Sequence, residues 1–148
     1  MGPGGAGYQL YGELTDRTAA RDAPRMMTTS DLEAFFSRGW NRHDVECLMT
    51  FMAEECVFES ASGPEPCGGR HVGREQVRRA FARVFEAFPD VQFGATRHVV
   101  AGDRGLSEWR FTGTTPEGRR VDVDGCDLFT FAGDKIARKS SFLKTRTG

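Results

Sequence analysis

The sequence predicts an α+β fold, in which three helices from the first half of the chain cover one face of a curved antiparallel sheet. Two observations lead to this prediction. Before Pro89 apolar residues recur mainly at helical spacing, whereas after Pro89 they alternate as they do in strands. Helices that precede a run of antiparallel strands are typical of the α+β class. At 148 residues the chain suits one domain with a substantial core.

The first 25 residues are rich in glycine and charge and show no sustained apolar period. We therefore expect residues 1–25 to be a flexible N-terminal tail, and residues 26–148 to be the folded domain. No basic region is followed by an apolar one, so we expect no secretory signal. No apolar run approaches the roughly 20 residues that a membrane span needs.

Two short helices are predicted next. Ser30-Asp31-Leu32-Glu33 is a capping-box pattern ahead of an apolar run, and Asp44 can cap a second helix. Their apolar residues fall at helical spacing, which buries one face of each helix. These residues are Leu32, Phe35, Phe36, Gly39 and Trp40 in the first helix, and Val45, Leu48, Met49 and Met52 in the second.

The middle of the chain predicts a short strand, an irregular loop and a long helix. Residues 56–60 have the composition of a strand, and the Gly- and Pro-rich segment 61–73 is expected to carry no regular structure. The segment 74–88 shows the clearest helical period of the chain, and Pro89 stops it.

Four strands follow. Residues 91–100 alternate as a strand, and the segment from Leu106 to Leu143 divides into SEWRFTGT, RRVDVDGCDLFTF and KIARKSSFL, joined by two short turns. Side chains alternate between the faces of a strand, so each strand divides into two sets. The pattern alone does not say which set of one strand shares a face with which set of the next.

Charge and cysteine content limit the functional classes. The net charge is −1, with 20 basic and 21 acidic residues, which gives no electrostatic reason to expect a nucleic-acid or membrane partner. The four cysteines are scattered without a CxxC motif. That pattern favours reduced thiols and a cytoplasmic protein.

Three stretches carry a family resemblance: WNRHDVECLMTFMAEECVFES, GREQVRRAFARVFEAFPD and GCDLFTFAGDKIARKSS. In this order they resemble the nuclear transport factor 2-like superfamily, in particular its SnoaL-like and ketosteroid isomerase-like branch, over roughly residues 30–143. The resemblance implies a cone-shaped sheet closed by helices around a pocket. It does not imply one function, because this fold hosts isomerases, hydrolases, cyclases, dehydratases and plain binding domains.

The resemblance also implies an assignment of faces. It places Glu108, Arg110 and Thr112 toward the pocket, together with Asp127, Lys139 and Ser141. Trp109 and Phe111 would then lie on the convex face and form a homodimer interface.

Asp127, Arg110 and Glu108 are the candidate catalytic residues. Asp127 resembles the oxyanion-binding aspartic acid of ketosteroid isomerase, while Ser60 and Phe36 stand where that enzyme has its base and its tyrosine. A carboxyl in an apolar cone resists ionising unless a cation is close, so Asp127 would be an acid when neutral or a base when paired. Arg110 could hold a carboxylate or enolate oxygen. The alternative for all three is an ion-pair network that only joins strands.

Other side chains are expected to line the pocket. These are Phe36, Trp40, Phe58, Ser60, Phe81, Phe85, Lys139 and Ser141. His71 could shuttle protons at the pocket mouth or simply face solvent, and His98 is expected to pair across strands. His43 and Cys47 do not make a convincing metal pair, so neither a metal nor an organic cofactor is expected.

The sequence thus predicts a domain that binds a hydrophobic small molecule. It would be either a cofactor-independent acid/base enzyme of the isomerase, hydratase, hydrolase or cyclase type acting on a carbonyl compound, or a non-catalytic binding or dimerisation module of the same fold.

Overall fold

The computed structural model describes residues 25–148, and the predicted tail lies, apart from Arg25, outside the described residues. Three α-helices and six strands form this part of the chain. The helices are α1 (Thr29–Ala34), which continues as a π-helical segment over Phe35–Trp40, α2 (Val45–Thr50) and α3 (Arg74–Ala87). The strands are β1 (Met52–Glu65), β2 (Gly68–Val72), β3 (Gln92–Ala101), β4 (Arg104–Thr114), β5 (Arg120–Ala132) and β6 (Lys135–Leu143).

The six strands form one sheet in the order β2-β1-β6-β5-β4-β3. All neighbouring pairs are antiparallel except β1 and β6, which run parallel. The sheet is curved and unclosed, and the helices bury their apolar sides against one face of it. The predicted α+β class is confirmed.

The first helix begins two residues earlier than the capping-box pattern suggested. Thr28, not Ser30, is the N-cap: its side chain accepts from the backbone of Asp31, and the Asp31 carboxylate accepts from the backbone N–H of Thr28. Ser30 and Glu33 have the same spacing as Thr28 and Asp31, but the Glu33 carboxylate contacts Thr96 and His98 of β3 instead of returning to the helix start. Asp44 caps α2 as predicted, by accepting from the backbone N–H of Cys47.

The expectation that residues 61–73 are irregular is wrong. β1 continues to Glu65 and pairs with β2 in an antiparallel hairpin, with Ser60 opposite Gly69. Gly68 has a φ of +91°, and a side chain there would collide with the carbonyl oxygen of Ser60. The glycines that predict a loop therefore allow the two strands to approach closely.

The register of β4 and β5 decides which side chains share a face. Ser107 lies opposite Asp127, Trp109 opposite Gly125 and Phe111 opposite Val123. Directly opposite residues project to the same side of a sheet. Trp109 and Phe111 therefore lie on the helix-covered face with Asp127, and both are buried.

Candidate functional site

A cavity of about 460 Å³ lies between the helix-covered face of the sheet, α3 and the β1–β2 hairpin. Its volume suits a small organic molecule, and aromatic side chains dominate its wall. The aromatic lining residues are Trp40, Phe58, His71, Phe88, Phe93, Trp109 and Phe111, and the polar or charged ones include Ser60, Arg83, Lys139 and Ser141.

The polar end of this cavity is formed by Lys139 and Ser141 of β6, backed by Asp127 of β5. The Lys139 Nζ lies 3.0 Å from Asp127 Oδ1 and donates to Ser141 Oγ at 2.8 Å. Ser141 lies directly opposite Asp127 in the strand register and donates to its Oδ1. Alternation along β6 places Lys139 and Ser141 on the same face, two residues apart.

Lys139 is almost completely buried, at 2% exposure. Its ammonium lies 4.7 Å from the ring centroid of Phe58, 5.2 Å from that of Trp40 and 5.9 Å from that of Phe81. These aromatic faces and the Asp127 carboxylate favour the charged form. Burial opposes them more strongly and lowers the pKa of Lys139 below its ordinary value of 10.5.

Asp127 is fully buried and lies behind the cavity wall rather than on it. Besides Lys139 and Ser141, the indole N–H of Trp109 donates to its Oδ2 at 3.0 Å. Gly125 makes this contact possible, because a Cβ there would lie 2.5 Å from the Trp109 ring. With three donors around it, Asp127 serves as the counter-ion that fixes the Lys139 ammonium.

His71 of β2 lies on the cavity wall, and its ring stacks on Phe58 with 5.7 Å between centroids. Burial, with a smaller contribution from the nearby charge of Arg83, lowers the pKa of His71 below its ordinary value of 6.5. The imidazole is therefore neutral at neutral pH, which is the form that can accept a proton.

Five residues predicted for the pocket lie on the wall of this cavity: Trp40, Phe58, Ser60, Lys139 and Ser141. Three others lie in the surrounding core instead. Phe36 packs against Phe93 and His98, Phe81 packs between Trp40 and Phe58, and Phe85 packs against Trp40 and His43.

The prediction that Glu108 and Arg110 share a face with Asp127 is wrong. Both side chains are exposed on the opposite face of the sheet, in a groove of about 560 Å³. Arg110 pairs there with Asp124, its neighbour in the register, at 3.3 Å. The contacts of Arg110 therefore agree with the alternative given above, an ion pair that joins neighbouring strands.

The matching prediction for Trp109 and Phe111 is wrong for the same reason. They are 4% and 5% exposed and line the inner cavity, so they do not form an exposed apolar patch on the outer face. Two large aromatic side chains at alternate positions gain most from burial on the helix-covered face.

His98 pairs across strands, as expected. Its Nδ1 lies 2.8 Å from the Oγ of Ser107, its register partner, and its Nε2 lies 2.7 Å from the Glu33 carboxylate. This order of side chains resembles a nucleophile–base–acid triad. However, Ser107 is fully buried and is not on the cavity wall, so the chain of contacts joins α1 to the sheet.

Glu59, which precedes Ser60, faces away from the cavity. It is buried on the opposite face, where Arg138 donates to its carboxylate and Arg70 lies 3.6 Å away. Burial alone would raise the pKa of Glu59, but the hydrogen bonds and charge of Arg138 outweigh it and lower the value.

Among residues 25–148, no group of three or more His, Cys, Asp or Glu side chains is arranged to hold a metal ion.

Trp109, Phe111 and His71 are the site residues that sequence reasoning missed or undervalued. Alternation along β4 predicts that Trp109 and Phe111 share a face. Whether this is also the face of Asp127 depends on the register between β4 and β5. The glycine- and proline-rich composition around His71 predicts a loop, whereas His71 lies in β2 of the β1–β2 hairpin. Once β2 pairs with β1, His71 lies opposite Phe58 on the cavity side.

This fold and cavity define a small-molecule-binding domain of the nuclear transport factor 2-like class. Residues 32–139 match the model of the SnoaL-like domain, and the chain belongs to that family. No protein with curated annotation matches the chain significantly. In the described residues, no helix has the length and apolar content to cross a membrane.

Solved structures agree on the fold. A proposed SnoaL-like polyketide cyclase from Jannaschia sp. CCS1 is 22% identical, with a TM-score of 0.67 over 78% of this chain and 83% of that chain. TerC, co-crystallised with polyporic acid, is 19% identical, with a TM-score of 0.66 over 78% and 89%. A protein with a ketosteroid isomerase-like fold from Catenulispora acidiphila DSM 44928, in complex with trimethylamine, is 20% identical, with a TM-score of 0.68 over 78% of this chain and 86% of that chain.

Proposed function

We propose that the inner cavity binds a flat, hydrophobic carbonyl compound and moves a proton at the carbon next to the carbonyl. The observation that carries this proposal is the buried Lys139 ammonium on the wall of an otherwise aromatic cavity. A carbonyl oxygen that becomes an enolate gains negative charge, and a fixed cation in a water-poor site stabilises that charge strongly.

The roles differ from those expected from the sequence. Lys139 takes the oxygen-binding role assigned to Arg110, since Arg110 lies on the other face. Asp127 holds Lys139 in place and can exchange a proton with it over 3.0 Å. His71, neutral and on the same wall as Lys139, is the candidate base that removes the carbon-bound proton.

Hydrogen–deuterium exchange of 2-tetralone in D2O, followed by proton NMR, tests this function. We expect the protein to accelerate exchange next to the carbonyl, and His71→Asn to lower that acceleration by about 10²- to 10⁴-fold. We expect Lys139→Met to weaken binding of 2-hydroxy-1,4-naphthoquinone, a stable enolate mimic, by roughly 10- to 100-fold, as loss of a charged hydrogen bond does. Lys135→Met, at an exposed lysine, is the control.

Binding can be followed through tryptophan fluorescence, because both tryptophans of the chain, Trp40 and Trp109, line the cavity.

The same binding and exchange measurements distinguish this function from a second candidate, a non-catalytic binding module. That candidate is favoured because no carboxylate of residues 25–148 lines the wall, and Asp127 behind it is paired with Lys139. Binding without exchange above the buffer rate would identify a binding module, and unchanged affinity in Lys139→Met would reject the site itself.

We further propose that the chain forms a homodimer through the outer sheet face, but with different residues from those expected. Val99, Leu106 and Leu128 lie opposite one another there on three neighbouring strands, and Phe142 lies opposite Cys126, diagonal to Leu128. Val99, Leu128 and Phe142 are more than 45% exposed. Charges of both signs lie beside them, Arg97 and Arg110 with Glu108 and Asp124. Such a mixed border suits a second copy related by a two-fold axis.

Phe142→Glu is expected to convert the dimer to a monomer in light scattering, because a carboxylate would be desolvated in the interface. Phe142→Leu keeps an apolar side chain and should leave the dimer intact. A wild-type protein that is monomeric at micromolar concentration, or a Phe142→Glu variant that remains dimeric, would contradict the interface.

We place the protein in the cytoplasm. The support is that all four cysteines are unpaired, with Cys56 buried and the other three half-buried. Reduced thiols of this kind are usual in reducing compartments.

A further inference from the structure

The chain contains three lysines, all within the described residues, and they differ sharply in their surroundings. Lys135 and Lys144 are exposed, and the Lys135 Nζ donates to the Thr50 carbonyl. Lys139 is 2% exposed and lies on the cavity wall. A primary amine enclosed by aromatic rings, with a carboxylate and a hydroxyl in contact, has the components of a nucleophilic amine site.

We propose that Lys139 bonds covalently to its ligand, forming an imine with an aldehyde or ketone carbonyl held in the inner cavity. This inference rests on the proposed function, because the same carbonyl group would face Lys139. It goes further in assigning the amine as a nucleophile and the ligand as a carbonyl compound that can lose its oxygen.

The surrounding groups can carry each proton of this step. Asp127 Oδ1, 3.0 Å away, takes one proton from the Lys139 ammonium, and the free amine adds to the carbonyl carbon. The carbonyl oxygen takes that proton and becomes a hydroxyl. A second proton then moves from the nitrogen through Asp127 to the hydroxyl. The hydroxyl leaves as water, so the C–O bond breaks and a C=N bond forms. The nitrogen keeps its one remaining hydrogen, so the product is already an iminium, paired with the Asp127 carboxylate.

Ser141 and the aromatic rings suit both forms of the nitrogen. Ser141 Oγ accepts from Lys139 Nζ at 2.8 Å, and an iminium N–H could donate to the same oxygen. The rings of Phe58, Trp40 and Phe81 lie within 6 Å of the nitrogen and stabilise a cation there. Their bulk also restricts water, which would hydrolyse an imine.

The acid–base state of Lys139 agrees with this role. Burial lowers its pKa more than Asp127 raises it, so the neutral amine is more populated than at an exposed lysine. Lowering of a lysine pKa by removal from water is one of the usual ways in which an amine becomes nucleophilic.

The test uses the unmodified protein and 1-phenylbutane-1,3-dione, a flat diketone. Its first imine loses a proton from the central carbon and becomes a stable enaminone, so no reductant is needed. Intact-mass analysis counts the adducts, each the diketone less one water, and peptide mapping places them. We expect one adduct per chain at Lys139, forming about tenfold or more faster than on Nα-acetyl-lysine methylamide. Lys135 and Lys144 serve as internal controls.

Four outcomes are informative. An adduct confined to Lys139, and lost in Lys139→Met while that variant still unfolds cooperatively, supports the inference. Adducts on Lys135, Lys144 and the amino terminus at the rate of the free amine would overturn it. If 2-hydroxy-1,4-naphthoquinone quenches tryptophan fluorescence but no adduct forms, covalent bonding is rejected and the proposed binding site stands. If neither occurs, both are rejected.

Discussion

Asp127→Asn is expected to lower the free energy of unfolding at pH 7 by about 3–5 kcal/mol, since it leaves Lys139 as a buried charge without a partner. Asp127 is fully buried and accepts from Lys139, Ser141 and Trp109. An asparagine has nearly the same shape, so packing changes little. Urea unfolding, monitored by circular dichroism, measures the difference.

Asp124→Asn is the matched control, because Asp124 lies on the same strand three residues earlier and is exposed, with its ion pair to Arg110 in solvent. Exposed ion pairs contribute about 0–1 kcal/mol. The double variant Asp127→Asn/Lys139→Met should be more stable than the sum of the two single losses predicts, because neither charge then remains alone. Equal losses for Asp127→Asn and Asp124→Asn would refute the buried pair.

The pH dependence of stability gives the second large effect. The folded-state pKa of Lys139 lies below the ordinary value of 10.5, so between the two values the unfolded chain binds more protons than the folded one. The free energy of unfolding therefore gains a contribution that rises with pH through this interval. We expect the stability of the wild type relative to Lys139→Met to increase between pH 7 and pH 10.

The comparison with Lys139→Met is needed because other groups titrate nearby. Burial raises the pKa values of Cys47, Cys56 and Cys126, which lowers stability as pH rises past their ordinary value of 9.0. His71 has a lowered pKa, and its contribution is complete above its ordinary value of 6.5. These contributions are nearly equal in both proteins and cancel. A stability difference that stays flat or falls with pH would contradict the assignment.

Most of the fold could be predicted from local pattern. The period of α3 and the stop at Pro89, the Asp44 cap and the three final strands all follow from spacing and turn residues. The β1–β2 hairpin did not, because its glycines have the same composition as a loop and their role depends on contact with another strand. The parallel pairing of β1 with β6 joins segments about 80 residues apart, and no local pattern encodes it.

The site was harder to predict than the fold, for a geometric reason. Alternation correctly grouped Lys139 with Ser141 and Trp109 with Phe111, but a shift by one residue in one strand exchanges its faces. The match of β4 to β5 that the family resemblance implies exchanges the two faces of β4. Burial would have been the better guide: Trp109 and Phe111 have far more apolar surface to remove from water than Glu108 and Arg110.

The central claim is that the inner cavity binds its ligand with an oxygen against Lys139. A crystal structure of the protein with 2-hydroxy-1,4-naphthoquinone tests it most directly. We predict the quinone among Phe58, Trp109 and Phe111, with one oxygen within hydrogen-bonding distance of Lys139 Nζ. A quinone bound instead in the outer groove beside Glu108 and Arg110, or an inner cavity that stays empty at saturating concentration, would contradict the claim.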